Sequence, residues 1–374
     1  MAATIRKQMP YFALLLLLLF GNVPAFGIIW LCRKRFLLVK KMAYSWILLF
    51  SILQLSFFVD EMSGWKKKRL FQAIKQDFSA HFQILDGEKQ LFALSLLAEK
   101  MKKEAIFPEK KAEIQAFFTQ EIMPNVPFEI AKDTNLWKNN ALYLSQLAII
   151  FTAYHDIFPT DTSYQKLHGN MIHFLYKEMK NSPTKQLCSY PDFAEPWLCD
   201  NAGIVYALAL YDAEYKTHFS LWEEWQTKVN QDFTDPKTGL PCTQISEKTG
   251  CFVPTRASST AWLMAYLAEI SPKEGKKAWN LYKKQFKFSF AGIGAAFFEY
   301  SDDTKTEDYD TGTLIFGLGT IGSGLSIRAA SENEDWLTYF QLVNTLNVVS
   351  LGAYFFPEME NDVLIKAILY RSCF

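Results

Sequence analysis

Two uncharged apolar runs at the front of the chain limit what it can fold into more than any other feature. Tyr11 to Leu31 reads YFALLLLLLFGNVPAFGIIWL, and Met42 to Val59 reads MAYSWILLFSILQLSFFV. About twenty apolar residues in a helix cover the hydrocarbon core of a bilayer. The stretch between the runs, CRKRFLLVKK, carries Arg33, Lys34, Arg35, Lys40 and Lys41. The expectation is a membrane anchor over residues 1–65, with helices at 11–31 and 42–59 and a basic loop at 32–41. A signal peptide is the competing reading of the first run, because Arg6 and Lys7 precede it and small residues lie near Ala25 and Gly27. That run is longer than a usual signal core, and the second would still anchor the product, so the hairpin is favoured. Positive charge in a short loop marks the cytoplasmic side, which puts the main domain, residues 66–374, outside the cytoplasm. Lys66, Lys67, Lys68 and Arg69 follow the second run closely and work against that orientation.

The rest of the composition excludes whole classes. The chain has 39 basic and 39 acidic side chains, hence no basic surplus for neutralising phosphates and no expected nucleic-acid partner. A charged fraction of 21% with 16% aromatic residues excludes a mostly disordered chain. A mean hydropathy of −0.02 excludes a polytopic transporter; it averages an apolar anchor with a polar, aromatic-rich body.

The body reads as helical. Candidate helices are Leu91–Met101, Leu136–Ile157, Tyr164–Met179, Asn201–Tyr215, Ser220–Asp232, Ser258–Ile270, Pro272–Phe286, Thr313–Ala330, Glu334–Val349 and Asn361–Tyr370. Ser163, Ser220 and Ser271 are candidate caps, and Ser331 with Glu334 forms a candidate capping box. The one hairpin signal is Gly239–Thr255, around the turn Glu247–Gly250, with a further extended piece at Gly292–Phe298. Cys242 and Cys251 flank that turn, but a hairpin centred there does not set them directly opposite, so a cross-strand bridge is not the obvious reading. Helix pairs alternate with long loops, without the fixed period of a solenoid. The expected fold is therefore all-α: an α/α toroid, with unequal loops gathered at one mouth where function would sit.

Three loops carry the chemistry. The first, Tyr190-Pro191-Asp192-Phe193-Ala194-Glu195-Pro196-Trp197-Leu198-Cys199-Asp200-Asn201, combines carboxylates, a thiol and aromatic rings just before an apolar helix. Asp200 or Asn201 would cap that helix, and Cys199 would lie at its N-terminus, where a thiolate is stabilised. A buried inert thiol is the plain alternative. The second, Pro254-Thr255-Arg256-Ala257-Ser258-Ser259, offers Arg256 either to a substrate or to a loop carboxylate. The third holds Glu299-Tyr300-Ser301 and Glu307-Asp308-Tyr309-Asp310-Thr311-Gly312, then Gly317, Gly319 and Gly322. Those glycines match GxGxxG in spacing only, since no strand–turn–helix unit precedes them; close helix packing explains them better. His81, His155, His168, His173 and His218 show no ligand spacing, so no metal is expected.

The loops also carry a resemblance. Ser182-Pro183-Thr184 through Tyr190-Pro191, Cys199-Asp200-Asn201 with the following helix to Leu210-Tyr211-Asp212, Arg256 to Trp262, and Asp308 to Gly312 with Phe316 to Gly319 resemble the linalool dehydratase/isomerase-like family. Tyr143-Leu144 to Phe158-Pro159 and Tyr164 to Leu167 add to it, so the resemblance covers about Leu136 to Ser350. It implies an (α/α)6 barrel with a deep central pocket, outside the cytoplasm. It implies cofactor-free hydration and isomerisation of a monoterpene alcohol by paired cysteines, with Tyr, His and Asp nearby. Cys199 matches one cysteine of that pair and Cys188 is the candidate for the other; Tyr143 stands near where the family carries His.

The expected catalytic set is Cys199, Asp200, Tyr309, Asp310 and Cys188. The expected substrate-binding set is Tyr143, Tyr190, Trp197 and Arg256. A neutral acid would protonate a leaving hydroxyl while a base takes a proton from the neighbouring carbon. Aromatic faces would stabilise the developing cation. Two other functions fit. One is a carbohydrate-active enzyme using paired carboxylates, with Trp197 and Tyr309 stacking on a sugar. The other is a non-catalytic envelope protein that binds a ligand. The expected partners are a small apolar or sugar-like ligand and, through the front helices, membrane lipid.

Overall fold

The structure, a computed structural model, describes residues 2–31, 37–80, 87–190, 195–290, 292–302, 306–308, 310–353 and 363–373. It opens with α1 (Ala2–Leu31) and α2 (Leu37–Met62). Both are long and apolar enough to cross a membrane, over Ala13–Trp30 and Val39–Met62. Pro10 and Pro24 lie inside α1. Next come α3 (Trp65–Ala80), α4 (Gly87–Glu104), α5 (Pro108–Phe117) and the short α6 (Phe128–Lys132). Then follow α7 (Ala141–Ile157), α8 (Gln165–Asn181), α9 (Leu198–Tyr215), α10 (Trp222–Asp232), α11 (Ala257–Ile270) and α12 (Pro272–Phe286). The last three are α13 (Thr320–Glu332), α14 (Trp336–Ala353) and α15 (Val363–Ser372). Chain ends obey helix electrostatics: Pro272 starts α12 at its first turn, Glu274 follows, and Lys283 and Lys284 sit in its last turn.

The strands form three small antiparallel pairs. These are β1 (Gln244–Ser246) with β2 (Gly250–Val253), β3 (Lys287–Phe290) with β4 (Gly294–Phe297), and β5 (Leu314–Ile315) with β6 (Leu318–Gly319). The chain is mostly helical, as expected, with the two apolar helices at its front.

Two kinds of helix build the body. α7, α9 and α11 bury nearly every residue of their first three turns, so they must be surrounded by protein. α8, α10 and α12 bury only a stripe, such as Gly275, Trp279, Tyr282 and Phe286 on α12. The neighbour relations follow: α4 packs on α7, α7 on α9, α9 on α11, α11 on α13, α13 on α15, and α15 on α4. α8 lies outside α7 and α9, α12 outside α11, α14 outside α13, and α3 outside α15.

Four expectations are corrected. The front of the expected helix Thr313–Ala330 is the β5–β6 hairpin, because Phe316 and Gly317 both take positive φ (54° and 85°), the geometry of a two-residue hairpin turn. Cys242 and Cys251 do form a disulfide, with Cα atoms 5.7 Å apart. Cys251 is the register partner of Ile245, and Cys242 lies two residues before β1, so the bridge crosses the hairpin diagonally instead of joining directly opposite residues. The Ser331/Glu334 capping box is absent: Glu334 adopts φ 55°, and Asp335 accepts from the Thr338 N–H at 3.3 Å instead. Asp161, not Ser163, closes the turn before α8, accepting from the Ser163 N–H at 2.8 Å.

Candidate functional site

The beginnings of α4, α9 and α11 and the loop before α13 meet at one end of the body, and most of the expected residues lie there. α9 starts at Leu198, earlier than the sequence suggested, with Trp197 at its cap. Asp200 and Asn201 are therefore first-turn residues rather than caps. Asn201 serves the loop: its Oδ1 accepts from the Leu187 N–H (2.8 Å), and its Nδ2 donates to the Leu187 and Trp197 carbonyls (3.1 and 2.8 Å). That clasp fixes the approach to Tyr190.

Cys199 and Asp200 form the centre. Both are nearly closed to solvent, 7% and 6% exposed, and the Cys199 thiol donates to Asp200 Oδ1 at 3.5 Å. Burial pushes the Cys199 thiol well above its ordinary value, and the charges of Asp200, Asp310 and Glu88 push it further. Of the two readings of Cys199, these surroundings favour the buried thiol: desolvation and adjacent carboxylates outweigh the helix N-terminus. Burial raises Asp200 to about 6; the Ser189 and Cys199 side chains pull the other way, and Asp310 adds to the rise. Tyr190 is also raised, by burial and then by Asp200 and Glu88. Asp310 is raised by burial and by Asp308, against the pull of Arg256. Cys199, Asp200, Tyr190 and Asp310 therefore share one electrostatic environment with Glu88, from the first turn of α4. Sequence reasoning passed over Glu88; its signal was an acidic first-turn residue on a helix leading into the body.

Arg256 sits at the cap of α11 and is held by carboxylates. Its Nη1 and Nη2 donate to the two oxygens of Asp308 (2.9 Å each), and its Nε donates to Glu299 Oε1 at 3.3 Å. Asp308 also accepts from the N–H groups of Asp310 and Thr311 (3.0 and 2.9 Å), so one side chain both folds the acidic loop and clamps the arginine. Burial opposes the Asp308 charge, but these bonds outweigh it and hold the carboxyl below its ordinary value. Glu299 is fully buried, takes the Ser258 hydroxyl at 2.6 Å and is raised by desolvation. A Cβ on Gly319 would lie 2.5 Å from Glu299 Oε2, and one on Gly322 would lie 3.1 Å from the same oxygen and from Ala257 Cβ. Those two glycines thus let α13 close on α11 and on this carboxylate, while Gly317 serves the β5–β6 turn.

The remaining candidates lie elsewhere or outside the described residues. Cys188 is half-buried, and burial with Glu195 and Glu247 raises its thiol; the charges it feels differ from those around Cys199. Tyr143 is buried on the first turn of α7, and its charged neighbour is Glu129. Trp197 packs partly against the core, and its carbonyl holds Asn201. Tyr309 and the stretch 191–194 lie outside the described residues. Among the described residues, no three His, Cys, Asp or Glu side chains are arranged to hold a metal ion.

No protein-family profile matches the chain. No curated protein matches it at a significant level either.

Proposed function

We propose that the chain is a membrane-anchored, linalool dehydratase/isomerase-like enzyme that removes or moves a hydroxyl group on an apolar alcohol by acid–base chemistry. The observation that carries the reading is the buried Cys199–Asp200 pair. A thiol kept neutral stands 3.5 Å from a carboxyl raised to about 6, which is ionised at neutral pH. One group can give a proton and the other can take one. Tyr190 and Asp310 complete the set, and Tyr309 is assigned beside them from the resemblance. Cys188 remains the family-derived second thiol, and Tyr143 and Trp197 remain candidate substrate contacts, while Arg256 is engaged by Asp308 and Glu299.

The neighbour sequence α4–α7–α9–α11–α13–α15, returning to α4, supports an (α/α)6 barrel. The Cys242–Cys251 disulfide supports a body outside the cytoplasm, since such bonds persist in oxidising compartments. The basic loop at 32–41 supports the same side.

A carbohydrate-active reading is favoured by one observation: the charge of Asp310 raises Asp200, as a second working carboxyl would. Product analysis of the purified full chain on apolar tertiary and allylic alcohols separates the two. Turnover that is lost in Cys199→Ser and kept in Asp310→Asn supports the alcohol reading. The reverse pattern, with sugar release, replaces it. A chain inert on both classes is a binding protein.

A further inference from the structure

α1 and α2 do not stand clear of the body. They run antiparallel, with Trp46 Nε1 donating to the Gly21 carbonyl (3.2 Å) and Asn22 Nδ2 to Ser51 Oγ (3.2 Å). α14 climbs alongside them. Its Tyr339 hydroxyl donates to Glu61 at 3.0 Å, Phe340 meets Phe58 with ring centroids 5.7 Å apart, and Asn344 Nδ2 donates to Gln54 Oε1 at 3.0 Å. The β3–β4 turn climbs too. A Cβ on Gly292 would lie 2.7 Å from Phe20 Cβ, and one on Gly21 would lie 2.7 Å from Ile293 Cγ2. Phe20 and Gly21 are well inside the apolar stretch Ala13–Trp30.

A hairpin at that depth must satisfy its own backbone and show apolar side chains. This one does both. The Gly292 carbonyl accepts from Gln341 Nε2 (2.7 Å), and the Ile293 carbonyl from Asn344 Nδ2 (2.9 Å). The Ala295 N–H donates to Thr345 Oγ1 (3.0 Å), and the Ile293 N–H to the Phe290 carbonyl (2.9 Å). Outward, the hairpin exposes Phe288, Phe290 and Phe298; the adjoining β5–β6 turn exposes Ile315 and Phe316, the latter 92%; and α14 exposes Val348. Asn22, Gln54 and Asn344 are buried between the elements, and the exposed polar side chain on β3 is the small Ser289. The apolar strip ends where Glu307 accepts the Leu314 N–H at 2.7 Å. In water such a contiguous face is a liability; in lipid it is matched.

We propose that this face of the body is immersed in the bilayer. The β3–β4 hairpin, the β5–β6 turn and the second half of α14 sit among phospholipid acyl chains of the leaflet on the body's side, beside α1 and α2. The anchor is then a five-element insert rather than a two-helix tether. The proposal rests on the reading of α1 and α2 as membrane-spanning.

Photolabelling tests it on the full chain in phosphatidylcholine vesicles that contain a small fraction of lipid with a diazirine in the acyl chain. After illumination, digestion and mass spectrometry locate the adducts. The expected result is adducts within 286–298 and 314–318, together with adducts within 11–31 and 42–59. Phe252, exposed on β2 and outside the strip, should carry none. Adducts confined to 11–31 and 42–59 overturn the proposal and leave the anchor standing. No adducts on those two stretches overturn the anchor and the proposal together. Equal labelling of Phe252 and Phe316 also overturns it, because labelling would then follow exposure rather than depth.

Discussion

The two ends of the helical body both bury charge, and they do it in opposite ways. At the far end, the last turns of α11, α13 and α15 and the second half of α4 enclose Glu269, Glu332, Arg328, Arg371 and Glu99. Arg371 pairs with Glu269 and with Glu332, Arg328 Nη2 donates to Glu99 Oε2 at 3.1 Å, and Lys103 lies 3.8 Å from both Glu269 and Glu332. The Tyr206 hydroxyl stands between Glu99 and Glu269 (2.5 and 2.6 Å), and the Arg328 guanidinium lies over the rings of Trp262 and Tyr266. Burial opposes the Glu269 charge, but Arg371, Lys103 and Arg328 hold it below its ordinary value. Every carboxylate there has a cation. At the near end, Cys199, Asp200 and Asp310 gather with Glu88, while the one arginine, Arg256, is committed to Asp308 and Glu299. Burial holds the protons of Cys199, Asp200 and Asp310 more tightly, and neighbouring carboxylates add to it. Carboxylates held by cations make a rigid plug; a carboxyl that burial raises to about 6, as at Asp200, can exchange a proton near neutral pH.

The sharpest break in that contrast should come from the plug. Arg371→Met leaves Glu269 and Glu332 short of a cation, and chemical denaturation of the full chain should show a loss of about 3–5 kcal/mol. An unchanged midpoint would mean the plug is not structural. At the near end the order of effects reverses. Asp200→Asn and Cys199→Ser should each cut turnover at least about 100-fold, the lower range for losing a positioned acid or base, with folding intact by circular dichroism.

A stability measurement sharpens the same point. Asp200 holds its proton to about pH 6 in the fold but loses it near its ordinary value of 3.8 when unfolded. The folded state therefore binds more protons between those values, and stability falls as pH rises through that window. Above about pH 7 the cost is complete, on the order of 3 kcal/mol. Asp200→Asn should remove it, so the variant should be the more stable protein at pH 7.5 and lose that advantage at pH 4. A variant less stable at both pH values would make Asp200 a structural residue. The smallest effect belongs to Asp310→Asn, which should change turnover less than about tenfold and shift the acid limb of the pH–rate profile downward by easing Asp200.

Much of this was legible in the sequence where a local rule suffices. The front helices follow from uninterrupted apolar length, and α12 from Pro272 at its start and lysines at its end. The loops 190–201, 256–259 and 307–312 were marked by carboxylates, a thiol and an arginine next to helix starts, and they do converge in part. What failed were readings that depend on pairing across the chain. The Cys242–Cys251 bridge joins a residue before β1 to one inside β2, a diagonal pairing that no residue type announces. The state of Cys199 was set by Asp200, Asp310 and Glu88 around it, not by its place on α9. Cys188 and Tyr143 had suitable residue types but sit in other charge environments.

Sequence by itself therefore determined the elements: an uncharged run must be helical if it is to leave water, and a helix start with a proline or an acid is favoured wherever it lies. Only the tertiary structure decided the chemistry. Whether a buried carboxyl is a strut or a proton acceptor depends on whether a cation stands beside it, and Arg371 and Arg256 reach their partners from positions far along the chain.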